Sequence, residues 1–393
     1  MTQPIQISRR LFMAGMAAGV TVTAACRVES QATGQAPKMV VIIARGAMDG
    51  LTVTAPYADP AYAALRGSLA VASPGEPGGA LELAEGFGLH PALERLHGLY
   101  QQGQVRFAPA VAIPVRVRSH FDAQDVLENG ADAIGFRNEG WLNRALASAG
   151  GERLSGLSIG AQTPLILRGD AATSSWAPGG DVGGEDRIAS LLQDLYVDDR
   201  LLQENLARGL ETEALVAAGD GGQVRRGDLG ALGGAIARLM VGDGAADVVA
   251  VSSDGWDTHA RQRPQLQTRL TGLDSLIGGL RDGLGDEWGR TIILVATEFG
   301  RTARANGTQG TDHGTASSLL LAGGALKPGG MIGDWPTLAE NRLFEDRDLA
   351  PTLDVRSVFK GVLRDHLGVD RAALHDRVFP DSAREAPVYD GLI

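Results

Sequence analysis

Short apolar runs that end at charged corners set the hydropathy pattern of this chain. Lys38–Ala44 (KMVVIIA) is rich in β-branched residues and too short for a core helix, which predicts a strand buried on both faces. Residues 105–113, 247–253, 291–297 and 317–322 repeat that signature. Helical spacing fills the intervals. Leu93, Leu96 and Tyr100 form one stripe of a helix expected over 90–100 and ended near Gly103. Leu266, Leu270, Leu273 and Ile277 form another between the strands at 247–253 and 291–297. Ser119 to about Asn129 predicts a helix capped by Ser119, with Gly130 just past its end. Fainter patterns place a short helix within 56–67, a helix over 140–150, a strand over 164–168, amphipathic helical patterning over 187–217 and a C-terminal helix near 354–367. Alternating strands and helices imply parallel strands, right-handed crossovers and an α/β sheet covered on both faces.

Composition sharpens this picture at three points. The chain has 393 residues, 44% hydrophobic and 21% charged, enough for one large α/β domain with insertions or for two domains. Its formal charge of −11, with lysine only at 38, 327 and 360 and no basic run, argues against nucleic acid and against charge-driven binding to anionic membranes. Residues 170–186 and 218–230 are rich in glycine, aspartate and other loop formers, so 170–230 reads as an insertion or cap in a domain spanning 38–393.

The N-terminus reads as a targeting segment. Ser8-Arg9-Arg10-Leu11-Phe12-Met13 precedes the small apolar run AGMAAGVTVTAA, the pattern of a twin-arginine export signal over 1–26, followed by a polar tether over 27–37. The apolar run falls short of the roughly 20 residues of a membrane span, so no transmembrane span is expected in the mature form. Cys26, the only cysteine, closes the loose lipoprotein-like box Thr23-Ala24-Ala25-Cys26. Lipidation of Cys26 and simple cleavage nearby are both open; in either case the mature domain has no disulfide. The expected partner at this end is the twin-arginine export machinery, and the expected location is the periplasm or another extracytoplasmic compartment.

The chemistry-bearing residues cluster where apolar runs end. These corners are Arg45-Gly46-Ala47-Met48-Asp49-Gly50, Asp254-Gly255-Trp256-Asp257-Thr258-His259 and Glu298-Phe299-Gly300-Arg301, with Gly310-Thr311-Asp312-His313-Gly314 ahead of SSLLLAGG. Carboxyl ends of parallel strands share one sheet edge, where ligand sites gather, so these corners are expected to meet. Asp, Glu and His together suit a divalent metal. Asp257 and His259, two apart in extended backbone, can face one ion, whereas Asp312 and His313 face apart. His313 is the expected ligand, with Asp312 in a supporting position. Glu298 closes an apolar strand and needs solvent or a cation, and Asp49 precedes a glycine that permits close backbone approach. Ser119 is an expected helix cap and, beside a metal, a candidate nucleophile. His120 stays open between a supporting and a structural role. Arg118, Arg45 and Arg301 lie near the same edge and are candidate anion clamps. His90, His97 and His366 read as structural.

These motifs resemble the exported domain-of-unknown-function family 1501, grouped with the alkaline phosphatase-like and sulfatase-like fold. The resemblance rests on SRRLFM, RGAMDGL (45–51), FGLHPAL (87–93), RSHFDAQD (118–125), GWDTHA (255–260), TEFGRTARANG (297–307), GTDHG (310–314) and GDWP (333–336). It implies a three-layer sandwich with a central, mostly parallel sheet and a metal centre at its C-terminal edge. It further implies that Asp49, Ser119 and Glu298 form one metal position and that Asp257, His259 and His313 form another. One or two divalent ions (zinc, manganese, calcium or magnesium) are expected. The expected activity is hydrolysis of phosphate or sulfate esters, with a small anionic ester or envelope glycan as substrate and Ser119, Arg118 and Arg301 in catalysis. The alternative is a non-catalytic envelope binding or scaffold protein that keeps the fold.

Overall fold

A computed structural model describes residues 36–135, 137–150, 154–160, 162–178, 224–225, 227–242 and 244–393. The export-signal reading, the tether up to residue 35 and most of the expected cap at 170–230 lie outside the described residues. Strand β1 (Lys38–Ala44) is buried along its whole length and runs through the middle of the sheet. The other strands are β2 (Val105–Ala112), β3 (Gly156–Ile159), β4 (Thr173–Trp176), β5 (Val248–Ser253), β6 (Thr291–Ala296), β7 (Ser317–Ala322) and β8 (Leu353–Asp354). Their order across the sheet is β8-β2-β7-β6-β1-β5-β3-β4.

β5 and β6 both pair with β1 in parallel, so the two strands joined by the long helix are not neighbours; β1 separates them. β7 runs antiparallel to β6 and β2, and the remaining pairings are parallel. Each face of β1 supplies its own core. Met39, Val41 and Ile43 pack with helices α2 (His120–Asn129), α3 (Trp141–Ser148) and α6 (Val355–Leu367). Val40, Ile42 and Ala44 pack with α1 (Glu94–Gln101), α4 (Leu229–Leu239) and α5 (Gln262–Leu284). A strand buried on both faces explains the unbroken apolar run, since neither face meets water.

One expected strand is absent. Residues 164–168 instead form a 3₁₀ turn at Leu165–Leu167, closed by Leu167 N–H to Pro164 O at 3.1 Å and Arg168 N–H to Leu165 O at 3.0 Å. Ile166 and Leu167 are buried there, and an apolar triplet does not distinguish a buried turn from a strand. Strands β3 and β4 flank this turn. β4 reads TSSW because it is the outermost strand and only Trp176 is buried. No helix among the described residues is long and apolar enough to cross a membrane.

Candidate metal centre

The topology delivers five segments to one sheet edge. The carboxyl ends of β1, β5 and β6 lead into residues 45–49, 254–261 and 297–301. β2 lies parallel to these strands through the antiparallel β7, so its exit toward α2 lies at the same edge. β7 runs the other way and therefore enters the sheet there, which brings the preceding residues 306–316 to the same place. This is the crevice in which open α/β sheets bind ligands.

Three imidazoles converge at this edge. His313 Nε2 lies 3.0 Å from His120 Nε2 and 3.0 Å from His259 Nε2. Asp257 joins them, with Oδ1 at 2.9 Å from His259 Nε2 and 3.2 Å from His313 Nε2, and Oδ2 at 3.5 Å from His120 Nε2. His120, Asp257 and His313 each offer an atom within 4.8 Å of the others' atoms. His120 and His313 are half-buried and Asp257 and His259 exposed, so the cluster opens to solvent on the side of the 254–261 loop.

The opposite nitrogen of each ring is held by an acceptor. His313 Nδ1 donates to the backbone carbonyl of Arg118 at 2.8 Å. A carbonyl can only accept, so the proton sits on Nδ1 and Nε2 presents its lone pair. His120 Nδ1 meets Glu298 Oε1 at 2.7 Å, and His259 Nδ1 faces Asp312 Oδ1 at 3.4 Å. Burial raises the pKa of Glu298, but hydrogen bonds from His120, Gln124 and Gly46 outweigh it and keep the carboxyl ionised. The same hydrogen bond makes His120 more basic against the opposing effect of burial. Burial makes His313 less basic. Burial also raises Asp257, but the hydrogen bond and charge of Arg301 hold its pKa below the usual carboxylate value. With Nδ1 turned to an acceptor, the Nε2 of His313 presents a lone pair toward Asp257 and toward the Nε2 atoms of His120 and His259, so the group can close around one cation. His120, His313 and Asp257 fit a borderline divalent ion such as zinc, with His259 beside them, and second ring nitrogens held by acceptors are the usual support for such ligands.

Several residues expected at the metal sit elsewhere in the network. Glu298 is fully buried and turned to His120, Gln124 and the Gly46 N–H rather than to the converging atoms. Asp49 is also buried; its Oδ2 contacts Arg66, Thr52 and Gln262, and none of the histidines. An ion pair with a guanidinium offsets its buried charge, as a metal would otherwise have to do. His120, left open between supporting and structural roles, instead contributes a converging nitrogen. Asp312 backs His259. Arg301 is buried and points inward, its guanidinium bonded to the carbonyls of Ala47, Gly46, Trp256 and Thr311 and to Asp257. It ties three loops together and has no face toward solvent. Arg118 pairs with Asp348 and Glu345, while its backbone carbonyl holds His313. Ser119 occupies the N-cap position of α2, but the expected side-chain cap is not made; the residue is exposed and adjoins His120 in the chain. Arg45 extends to Gln124, Glu128 and Ser252 on the flank of the cluster.

Sequence reading missed Gln262, the first residue of α5. Its Oε1 accepts from Thr258 Oγ1 at 3.0 Å and from Thr311 Oγ1 at 2.6 Å, and its Nε2 donates to Asp49. It therefore joins the loop of Asp257 and His259 to the loop of Asp312 and His313. Gly310 lets these loops touch, since a Cβ there would lie 2.2 Å from His259 O. A glutamine at a helix start carries no local signal of such a role, and neither does Arg66 at the end of a short helix.

A family model described as a protein of unknown function, DUF1501, matches residues 100–378. The chain belongs to this family. No curated protein matches the sequence. Among solved structures, the alkaline phosphatase from the Antarctic bacterium TAB5 aligns at 13% identity and a TM-score of 0.35, over 76% of this chain and 94% of that one. The phosphonate monoester hydrolase of Agrobacterium radiobacter aligns at 12% identity and a TM-score of 0.40, over 85% and 74%. The C-terminal periplasmic domain of EcEptC from Escherichia coli, in complex with zinc, aligns at 7% identity and a TM-score of 0.35, over 74% of each chain.

Proposed function

We propose that this chain is a metal-dependent hydrolase of phosphate or sulfate esters, exported to the cell envelope by the twin-arginine signal around Arg9 and Arg10. The observation that carries the reading is the convergence of His120, His259 and His313 Nε2 with Asp257, each ring backed by an acceptor on its other nitrogen. His120, His313 and Asp257 would hold one divalent ion, with His259 beside them. Such an ion supplies Lewis acidity toward an ester oxygen and lowers the pKa of a hydroxyl or water beside it.

The chain's own residues supply the rest. Ser119 offers an exposed hydroxyl at the start of α2, where the helix dipole favours an anion. Arg301 keeps Asp257 ionised and aimed at the ion. Arg118 orients His313 through its carbonyl, and its half-exposed guanidinium flanks Ser119 in the chain. Asp49 pairs with Arg66 through Oδ2, while its buried Oδ1 has no partner among the described residues. A non-catalytic binding role is the second reading, supported by Arg118 and Arg301 already being engaged by protein groups.

The test is elemental analysis of the mature protein, purified without chelator or metal-affinity resin, beside an Asp257→Ala/His259→Ala variant. The expected result is about one zinc, manganese or other divalent ion per chain in the wild type and loss in the folded variant. Turnover of phosphate or sulfate esters that disappears in Ser119→Ala supports hydrolysis. Metal retention without turnover supports the binding role, and absence of metal from both folded proteins removes the proposal.

A further inference from the structure

The first turn of α5 forms one wall of a cavity of about 300 Å³, on the far side of Gln262 from the metal loops. Leu69, Val71, Pro77, Pro91 and Leu266 give it an apolar lining, and no carboxylate lines it. That volume is at the lower end of small-molecule sites.

Two of its lining side chains, His90 and Arg263, carry N–H donors. His90, from the FGLHPAL stretch, is buried to 6% exposure. Its Nδ1 accepts the Ala92 N–H at 3.1 Å. Burial, and then the charge of Arg263, hold its pKa down to about 4, so the ring is neutral at neutral pH and its one proton is on Nε2. That N–H has no partner among the described residues and is not sealed from solvent, so it is open to the cavity that His90 lines. Helix α5 is 23 residues long and begins with neither a side-chain cap nor an acidic residue in its first turn. The partial positive charge of its N-terminus is met only in part, by the Gln309 carbonyl that accepts the Gln262 N–H at 2.8 Å. Arg263 donates through Nη2 to the carbonyls of Ser68 and Ala70, which holds the facing wall in place. Its backbone N–H has no partner among the described residues.

We infer that this cavity binds a small organic anion: a monocarboxylate whose oxygens accept from His90 Nε2–H and Arg263 and whose compact apolar body lies against Leu69, Val71 and Leu266. A neutral N–H, a guanidinium and a helix N-terminus around one space recognise negative charge, and the aliphatic wall selects an organic anion over an inorganic one. The inference does not depend on the metal centre. It does give the site a physical link to that centre, because Gln262 forms part of the cavity wall and holds both metal-bearing loops.

Benzoate, its neutral isostere benzamide and inorganic phosphate serve as probes, titrated calorimetrically into the mature protein with its native metal content. Saturable benzoate binding is expected, about tenfold or more tighter than benzamide and weakened about tenfold or more by Arg263→Gln and by His90→Phe. In Asp257→Ala, which removes the carboxylate of the metal centre, benzoate binding should be unchanged, so failure of the proposed hydrolase leaves this result standing. Arg263→Gln lies at the surface and carries the test if His90→Phe does not fold. The inference is overturned by absence of saturable benzoate binding, by equal affinity for benzoate and benzamide, or by preference for phosphate. It is also overturned if binding persists in Arg263→Gln and is lost in Asp257→Ala.

Discussion

To bind a cation, each imidazole of the candidate metal centre has to present a lone pair at Nε2 and be held at Nδ1. The chain meets the second need with a different acceptor each time: a buried glutamate, an exposed aspartate and a backbone carbonyl. Of these, Asp312 was expected in a supporting role because adjacent residues in extended backbone face apart. Glu298 was expected at the metal, because a carboxylate at the end of a buried strand reads the same whether its cation is an ion or a histidine N–H. Gln262 was not legible at all, since its two loop partners, Thr258 and Thr311, are distant from each other in sequence. Its role predicts that Gln262→Ala lowers stability by about 1–3 kcal/mol, because both threonine hydroxyls and Asp49 lose a buried partner. Denaturant unfolding measures this. Metal affinity should fall with it, and a variant as stable and as metal-tight as wild type would show that the two loops do not depend on this side chain.

At the scale of elements, the strand-ending corners were readable because fully buried strands leave unbroken apolar runs. The packing of helix against helix was not. Helices α4 and α5 approach so closely that a Cβ at Gly233 would lie 2.2 Å from Leu276 O and 2.9 Å from Leu280 N, whereas at Gly234 the nearest atom, on Arg238, is 3.8 Å away. Intrinsic propensity favours alanine over glycine in a helix by about 1 kcal/mol, and overpacking against backbone costs about 1–3 kcal/mol. Propensity should win at one site and packing at its neighbour. Gly234→Ala is expected to leave stability equal or higher, and Gly233→Ala to lower it by up to about 2 kcal/mol, the difference of those two terms. Thermal melts of the pair decide the matter; stabilisation by both would mean that the helices can move apart freely.

The whole molecule carries a pH signature through His90, which the sequence marks only as a structural histidine. His90 is neutral in the folded state, with a pKa of about 4 against 6.5 for the free side chain, owing first to burial and then to Arg263. Between those values the unfolded chain binds a proton that the folded chain does not. Stability is therefore expected to fall as pH drops from 6.5 toward 4 and to lose no more from this group below it. The loss attributable to His90 is on the order of 3 kcal/mol. In His90→Gln the unfolding free energy between these pH limits should slope less steeply than in wild type; parallel curves would remove His90 as the cause.

By itself, the amino-acid sequence determined the α/β class, the central strands, the helix that begins just after Ser119 and the presence of Asp, Glu and His where strands end. Burial and spacing write those features locally, one run at a time. The tertiary structure alone decided that β1 lies between β5 and β6 and that β7 enters from the opposite direction. It also decided which of the gathered polar groups share an atom's space. His120 among the converging nitrogens, Glu298 behind it and Asp49 paired with Arg66 depend on contacts between segments far apart in sequence. A carboxylate shows its charge in the sequence, but the partner that offsets that charge is set by which distant loop folds against it.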